Sequence, residues 1–203
     1  MAGTPPHTVF VGVSGASGAP YAVRVVTALA AAGCDLQLSI SESGVLVLQH
    51  ELGLHSGTRA AVTGEFLELA GATARVFAPE DLGALPASGS SAPDAVVICP
   101  CSMSTAAHVA LGTTTTLMQR AADVALKERR RLVVVPRETP LTQIHLRRLL
   151  ELSEAGAVVL PAMPGFYSRP QSLQDAVDHV AGKVMSALGF EQDLFPAWDG
   201  GRR

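Results

Sequence analysis

The sequence is poor in several features that would assign a protein class directly. Only 4% of its 203 residues are aromatic and 16% are charged, and the formal net charge is -3. Without a basic excess, general nucleic-acid binding is not expected. No apolar run is long enough to cross a bilayer. The three cysteines, Cys34, Cys99 and Cys101, form an odd set without a signal peptide, which predicts a reducing, cytoplasmic location.

Motifs that hold a metal ion or a nucleotide in well-known ways are also missing. The six histidines form no H-E-x-x-H, and Cys99-Pro-Cys101 lacks both the C-x-x-C spacing and a partner pair. Gly15-Ala-Ser-Gly18 is not a dinucleotide fingerprint, because Ser14 stands where a glycine is needed, and no Gly-Lys-Ser/Thr follows it. The G-x-S-x-G of a serine nucleophile is absent as well. We therefore expect no metal site.

The residues that are abundant predict one α/β domain. Alanine, valine, leucine and glycine dominate a chain that is 48% hydrophobic, so we predict a single domain over 1–203 with short tails at about 1–7 and 196–203. Apolar strand patterns alternate with helical ones along the chain, which predicts a three-layer αβα fold with a parallel sheet. The predicted strands are 8–13, 35–40, 74–77, 94–99, 132–135 and 157–160, and the predicted helices are 19–32, 44–54, 63–70, 103–111, 117–129, 142–155 and 172–188.

Polar groups follow several predicted strands. Gly15–Gly18 follows the first, Ser41 the second, and Ser102–Thr105 and the Arg137-Glu138 pair follow later ones. Open α/β sheets bind ligands outside the carboxyl ends of their strands. A ligand-free tight turn and plain helix N-caps would look similar. The convergence of all four on one edge favours a mononucleotide phosphate and ring system.

The run from Arg120 to Leu141 reads as an exposed helix, a turn and a buried strand that ends at Arg137-Glu138. A fixed cation and a carboxylate there indicate an anionic substrate whose reaction also needs proton handling. The basic cluster Lys127–Arg131 is interpreted as a cationic helix C-terminus that complements the helix dipole. The stretch 86–93 is read as a flexible loop near a site or an interface.

The segment from Pro161 to Pro170 is stiffened by proline and brings Met163, Phe166, Tyr167 and Arg169 together. It fits a hydrophobic lid or a subunit contact. It also fits an apolar, π-rich pocket beside a cation, which would stabilise a positively charged or allylic species. The residues alone leave both interpretations open.

Six motifs together resemble one family, and they extend from about residue 9 to 198. They are Gly15-Ala-Ser-Gly-Ala19, Pro86-Ala-Ser-Gly-Ser-Ser-Ala-Pro93, Cys99-Pro-Cys-Ser102, Arg120-Ala-Ala-Asp-Val-Ala-Leu-Lys-Glu-Arg129, Pro136-Arg-Glu-Thr-Pro140 and Pro164-Gly-Phe-Tyr167. The chain resembles the UbiX-type flavin prenyltransferases, within the homo-oligomeric flavin-containing decarboxylase-like proteins. The resemblance implies a Rossmann-like or flavodoxin-like fold, usually in a dodecamer. It implies transfer of a dimethylallyl group from dimethylallyl monophosphate to N5 and C6 of reduced FMN, giving prenylated FMN for a UbiD-type decarboxylase.

The resemblance also implies roles for individual residues, which the family draws from more than one subunit. The implied FMN contacts are Gly15, Ala16, Ser17, Ser41, Ser102, Met103, Ser104, Thr105 and Arg137. The implied prenyl-donor contacts are Tyr167 and Lys183, with Trp198 facing the allyl cation and with Arg120, Lys127 and Glu138 lining the phosphate region. Ser17 and Glu51 match positions tied to proton movement. Because lysine and arginine can meet the leaving-group charge, no Mg²⁺ is expected.

Two departures from the family pattern bear on the donor. Leu82 stands where relatives carry tryptophan, and Thr113–Thr116 replaces an asparagine-rich stretch, so monophosphate and diphosphate donors both stay open. One alternative function is an FMN-dependent cysteine-type decarboxylase, but its catalytic asparagine falls on Ser104 and its histidine near Ser88–Ser91, where none is present. The other alternative is a non-catalytic FMN carrier, which would not need a second phosphate clamp.

Overall fold

A sheet of six parallel strands forms the centre of the fold. The computed structural model describes residues 4–198 and 200, and its strand order is β3-β2-β1-β4-β5-β6, the order of a Rossmann-type sheet. The strands are β1 Thr8–Val13, β2 Asp35–Ile40, β3 Arg75–Val76, β4 Ala95–Cys101, β5 Arg131–Pro136 and β6 Val158–Val159. All five strand pairings are parallel, so every strand ends at the same edge of the sheet.

Helices cover both faces of this sheet. One face carries α1 Ala19–Ala31, α2 Glu42–Leu52, α3 Arg59–Ala70 and α7 Leu173–Ala187, and the other carries α4 Met103–Ala110, α5 Leu117–Lys127 and α6 Gln143–Glu154. Side chains alternate along β1, so Val9 and Val11 join the first core and Phe10 the second. Burial on both faces is typical of parallel sheets. The predicted three-layer αβα architecture is confirmed.

The prediction that 117–129 forms an exposed helix was wrong about its exposure. The buried side of α5 consists of Leu117, Met118, Gln119, Ala121, Ala122, Val124 and Ala125. Small alanines let the helix pack closely on the sheet, and its charged residues lie only on the outer side. The basic cluster is also divided by the fold: Lys127 ends α5, Arg130 pairs with Asp94 at 3.4 Å, and Arg131 begins β5.

Other boundaries moved for local reasons. Helix α3 begins at Arg59 rather than 63, because Thr58 Oγ1 accepts the Ala61 N–H at 3.3 Å and caps it. The stretch predicted as a flexible loop, 86–93, contains parts of two short 3₁₀ helices, Leu85–Ala87 and Gly89–Ser91. Strands β3 and β6 are each shorter than predicted at both ends. Among residues 4–198 and 200, no helix combines the length and apolarity that a membrane crossing needs.

Candidate active site

The turn after β1 is tied to the end of β4 by a buried serine. Ser14 Oγ donates to the Pro100 carbonyl at 2.9 Å and accepts the Ser102 N–H at 2.7 Å. Ser14 is 1% exposed, and a side chain at Gly15 would place its Cβ 2.5 Å from Ser43 Cβ. The turn therefore packs closely against α2 and keeps a fixed position relative to the start of α4.

Glu51 occupies the N-terminus of α1. Its carboxylate, which extends from α2, accepts the N–H groups of Gly18 at 2.9 Å and Ala19 at 2.8 Å. Partial burial acts to raise the pKa of this carboxyl, but hydrogen bonds from the Ser17 side chain and the two amides, together with the Arg137 charge, hold it below its ordinary value. Glu51 is thus a carboxylate at neutral pH, and it neutralises the positive end of α1.

This arrangement leaves only part of the turn open to a phosphate. Glu51 already takes the Gly18 and Ala19 amides at the helix N-terminus, where an anion could otherwise bind. Within residues 4–198 and 200, the amides of Gly15, Ala16 and Ser17 have no such partner. The donors that stay open to a ligand therefore lie earlier in the turn than the helix end.

Ser41 and Ser102 both act as helix N-caps. Ser41 Oγ accepts the Gly44 N–H at 3.0 Å, and Ser102 Oγ accepts the Thr105 N–H at 3.2 Å. The Met103 and Thr105 side chains are only 6% and 8% exposed, so a ligand at this edge would meet main-chain N–H groups of the first turn of α4, which have no acceptor within the helix. Ser104 is exposed.

Arg137 and Glu138 follow β5 at the same edge. The Arg137 N–H donates to the Cys101 carbonyl at 3.3 Å, and its Nε donates to the Ser17 carbonyl at 3.1 Å. The structure therefore brings Arg137 together with the Gly15–Gly18 turn, as predicted. Glu138 Oε1 accepts the Thr139 N–H at 3.0 Å, which fixes one carboxylate oxygen and leaves the other available.

A second cluster contains Tyr167, Lys183 and Trp198. Tyr167 and Trp198 meet edge to face, with ring centroids 6.0 Å apart. Lys183 Nζ lies 5.5 Å from the centroid of the Phe195 ring. The segment that carries Tyr167 begins at the carboxyl edge of the sheet, because it follows β6 and Ala162 N–H donates to the Pro136 carbonyl at 2.9 Å. Lys183 lies farther along α7, nearer to Leu188, whose carbonyl accepts a hydrogen bond from Arg131 at the start of β5. Tyr167 and Trp198 are thus neighbours, and Lys183 is linked to Tyr167 through Phe195 and His179. Trp198 falls in what we predicted to be a tail.

Lys127 does not reach this edge, and Arg120 already has partners. Arg120 Nε donates to the Ala87 carbonyl at 3.2 Å, and Nη1 pairs with Asp123 at 2.7 Å. Lys127 pairs with Glu128 at the end of α5, next to the start of β5. Arg137 follows the other end of that strand, and six residues of β5 correspond to about 20 Å. Within one chain, Lys127 and Arg137 therefore lie at opposite ends of β5.

Sequence reasoning passed over His179, which is 5% exposed between Tyr167 and Phe195. Its position four residues before Lys183 places both side chains on one helix face, and this spacing was the signal in the sequence that could have found it.

The buried cysteines are poor nucleophiles: burial raises the pKa of Cys101 to about 12 and raises that of Cys99 still further. In the described part of the chain, no three metal-binding side chains come together.

Comparison with known proteins gives the family. The flavoprotein family model matches residues 3–186. Flavin prenyltransferase UbiX of Pseudomonas aeruginosa is 47% identical over 197 residues, which cover 95% of this chain and 94% of the relative. The crystal structure of AnUbiX (PadA1) in complex with FMN and dimethylallyl pyrophosphate has a TM-score of 0.82 and 35% identity, covering 96% of this chain and 100% of that one.

A dodecameric FMN-dependent UbiX-like decarboxylase from Escherichia coli O157:H7 aligns with a TM-score of 0.84 and 36% identity, over 95% of this chain and 100% of that one. The family match over residues 3–186 includes both the turn after β1 and the segment that carries Tyr167. The chain belongs to the flavoprotein family and, within it, to the UbiX-type flavin prenyltransferases, which are transferases.

Proposed function

We propose that this protein transfers a dimethylallyl group from dimethylallyl phosphate to N5 and C6 of reduced FMN. The observation that carries the proposal is that the chain holds two separate groups of side chains that can bind an anion. The first joins Arg137 to the turn after β1 through Ser17, and the second joins Lys183 to aromatic rings. Two clusters fit two phosphorylated substrates, whereas an FMN carrier would need only the first.

The first cluster fits the flavin. The amides of Gly15, Ala16 and Ser17, the first-turn amides of α4 and the Arg137 guanidinium would hold its phosphate and ring, because all are donors at the edge where α/β sheets bind ligands. The packing of Ser43 against Gly15 leaves no space for a side chain there and keeps the main chain accessible. Reduced FMN supplies the nucleophilic positions of the reaction.

The second cluster fits the prenyl donor. The exposed Lys183 ammonium and the Tyr167 hydroxyl can bind phosphate oxygens, while the Tyr167 and Trp198 faces can stabilise a cationic allyl group. Glu138, with one oxygen fixed by Thr139, can move a proton to or from the departing phosphate. This arrangement needs no divalent cation for the leaving group.

Proton removal from the flavin ring falls to Ser17 and Glu51. The Ser17 side chain hydrogen-bonds to Glu51 and lowers its pKa, so the hydroxyl has a charged acceptor beside it. Because the same environment makes Glu51 a weak base, we infer that Glu51 orients Ser17 and takes the proton only transiently, before solvent removes it. The two α1 amides keep the carboxylate in place throughout.

A second copy of the chain completes the donor site in this proposal. Lys127 is about a strand length from Glu138 within one chain, so both can line the donor phosphate only if Lys127 comes from a neighbour, and Arg120 on the same helix would come with it. Helix α6 supports assembly, because Ile144, Leu146 and Leu150 are 67%, 53% and 59% exposed. The E. coli relative is described as dodecameric, and we propose the same assembly here.

Subunit complementation tests the shared site. Lys127→Ala and Tyr167→Phe should each reduce prenyl transfer strongly when expressed alone. Co-expressed, they should recover activity at about a quarter of the sites, the share expected for random mixing of two protomers per site. A mixture that stays as inactive as its parents would contradict the shared site. Two Lys127→Ala preparations with different tags serve as the control for mixing.

The direct test of the function is anaerobic. The purified protein is incubated with reduced FMN and either dimethylallyl monophosphate or diphosphate, and the extracted flavin is weighed by mass spectrometry. A flavin heavier by one five-carbon unit supports the proposal, and the two donors decide the phosphate preference that Leu82 leaves open. Unmodified FMN with both donors would instead favour a carrier. We further propose that a UbiD-type decarboxylase receives the product in the cytoplasm.

A further inference from the structure

His179 is a buried histidine whose two ring nitrogens have different partners. It lies on α7 and is 5% exposed. The Gly165 N–H points at Nδ1 from 3.3 Å, and Nε2 lies 3.2 Å from the Tyr167 hydroxyl oxygen. The ring thus connects the main chain of the 161–170 segment to the side chain of its tyrosine.

These partners determine where the imidazole proton lies. A backbone N–H can only donate, so Nδ1 must be the acceptor in the contact with Gly165. A neutral ring then carries its proton on Nε2 and donates it to the Tyr167 oxygen. The tyrosine's own hydrogen is consequently directed elsewhere, and within residues 4–198 and 200 the Tyr167 hydroxyl has no second partner.

We propose that His179 is a positioning residue for Tyr167, which it turns into an oriented hydrogen-bond donor for a phosphate oxygen of the prenyl donor. This inference rests on the proposed function, because it assumes a phosphorylated substrate in the Tyr167–Lys183 cluster. A phenol whose oxygen already accepts a hydrogen bond is also a stronger donor. The oxygens of a fully ionised phosphate can only accept hydrogen bonds, so Tyr167 can bind one only if its hydroxyl hydrogen is free to donate.

The surroundings favour the neutral ring that this role needs. Burial lowers the pKa of His179, and the Lys183 ammonium on the next turn of α7 lowers it further. Phe195 lies with its ring centroid 4.6 Å from that of His179 and contributes no charge. A protonated ring would place an N–H on Nδ1 against the Gly165 N–H. Neutral imidazole is therefore the form compatible with these contacts.

Two glycines allow the close approach that holds the ring. A Cβ at Gly165 would lie 2.9 Å from the Tyr167 ring and 3.1 Å from His179 Nε2. A Cβ at Gly182 would lie 2.7 Å from the Phe195 ring, which is the ring that covers His179. The tyrosine, the histidine and the phenylalanine are thus packed as one unit, so the hydrogen-bond direction is built into the fold.

Two substitutions of His179 separate its two contacts. In His179→Asn, the amide oxygen can accept the Gly165 N–H, but nothing reaches Tyr167. In His179→Gln, the longer side chain places an amide N–H near the position of Nε2, where it can donate to Tyr167. We expect His179→Asn to weaken dimethylallyl monophosphate binding about 3- to 10-fold, the effect of one lost hydrogen bond, and His179→Gln to restore most of it.

The experiment combines these variants with Tyr167→Phe in a double-mutant cycle. The affinity for dimethylallyl monophosphate is measured by calorimetry with oxidised FMN bound, so that no turnover is required, and inorganic phosphate is titrated in parallel. With turnover, the donor KM should rise while kcat and FMN affinity change little. In the Tyr167→Phe background, His179→Asn should cost little further affinity, because its target hydroxyl is gone.

The outcomes separate this inference from the proposed function. If His179→Asn weakens the donor equally with and without the Tyr167 hydroxyl, or if FMN affinity and melting temperature fall with it, His179 is only structural and the inference fails. If the wild-type protein binds neither phosphate compound, it fails as well. If the wild type binds the donor but transfers no prenyl group, the proposed function fails, and the binding cycle still decides the role of His179.

Discussion

Replacing Glu51 by glutamine removes a negative charge from the N-terminus of α1 while keeping the size of the side chain. The glutamine oxygen can still accept one of the amides of Gly18 and Ala19, which Glu51 now binds at 2.9 and 2.8 Å. The lost charge–dipole interaction at a partly buried helix end is worth about 1 to 2 kcal/mol. For a chain of this length, that corresponds to a melting temperature lower by about 2 to 8 °C.

The same contacts predict how the difference depends on pH. The folded-state pKa of Glu51 is held below its ordinary value of 4.5, so its contribution to stability is fully present above that value and is lost as the pH falls through the lowered folded pKa. The wild type and Glu51→Gln should therefore differ most at neutral pH. Their melting temperatures should converge under acidic conditions.

The assay is thermal unfolding of the ligand-free protein at one fixed concentration, because assembly makes the melting temperature concentration-dependent. Glu68→Gln is the matched control, since it removes the same charge from an exposed position on α3. Equal melting temperatures for Glu51→Gln and Glu68→Gln at pH 7 would refute the capping role of Glu51. A gap that stays constant as the wild type is acidified would refute the pKa argument.

Four further predictions concern activity and packing. Glu138→Gln should keep FMN affinity but slow prenyl transfer by about 10²-fold or more, and unchanged single-turnover rates would exclude its proton role. Lys183→Ala should weaken the prenyl donor far more than FMN in binding titrations, while Lys183→Arg should retain donor binding; equal weakening of both ligands would indicate a packing defect against Phe195. Prenyl transfer should survive EDTA, and loss that added Mg²⁺ restores would contradict phosphate neutralisation by side chains. Gly44→Ala should destabilise the fold, because the new Cβ would lie 2.6 Å from the Val13 carbonyl oxygen; a melting temperature equal to that of wild type would show that the turn can relax.

The sequence by itself determined the order of strands and helices. A short apolar run located β1, and an alternating apolar pattern located β2, both without error in their bounds. A run such as β1 is typical of a strand that is covered on both faces of a parallel sheet. The predicted helix 19–32 agrees with α1 to within one residue. Gly33, which follows it, has φ +78°, a conformation that glycine adopts without strain. The edge that carries Arg137 followed from the same alternation.

Tertiary structure alone decided which charges meet. Glu51 is far from Gly18 in sequence, and only the packing of α2 against the turn brings its carboxylate to the start of α1. The prediction that α5 is exposed was wrong, because alanine is too weakly hydrophobic to mark the buried face of a helix in the sequence. Lys127 and Arg137 are close in sequence, yet the whole length of β5 lies between them. The hydrogen bond between His179 and Tyr167 likewise depends on how two segments pack, which no local pattern encodes.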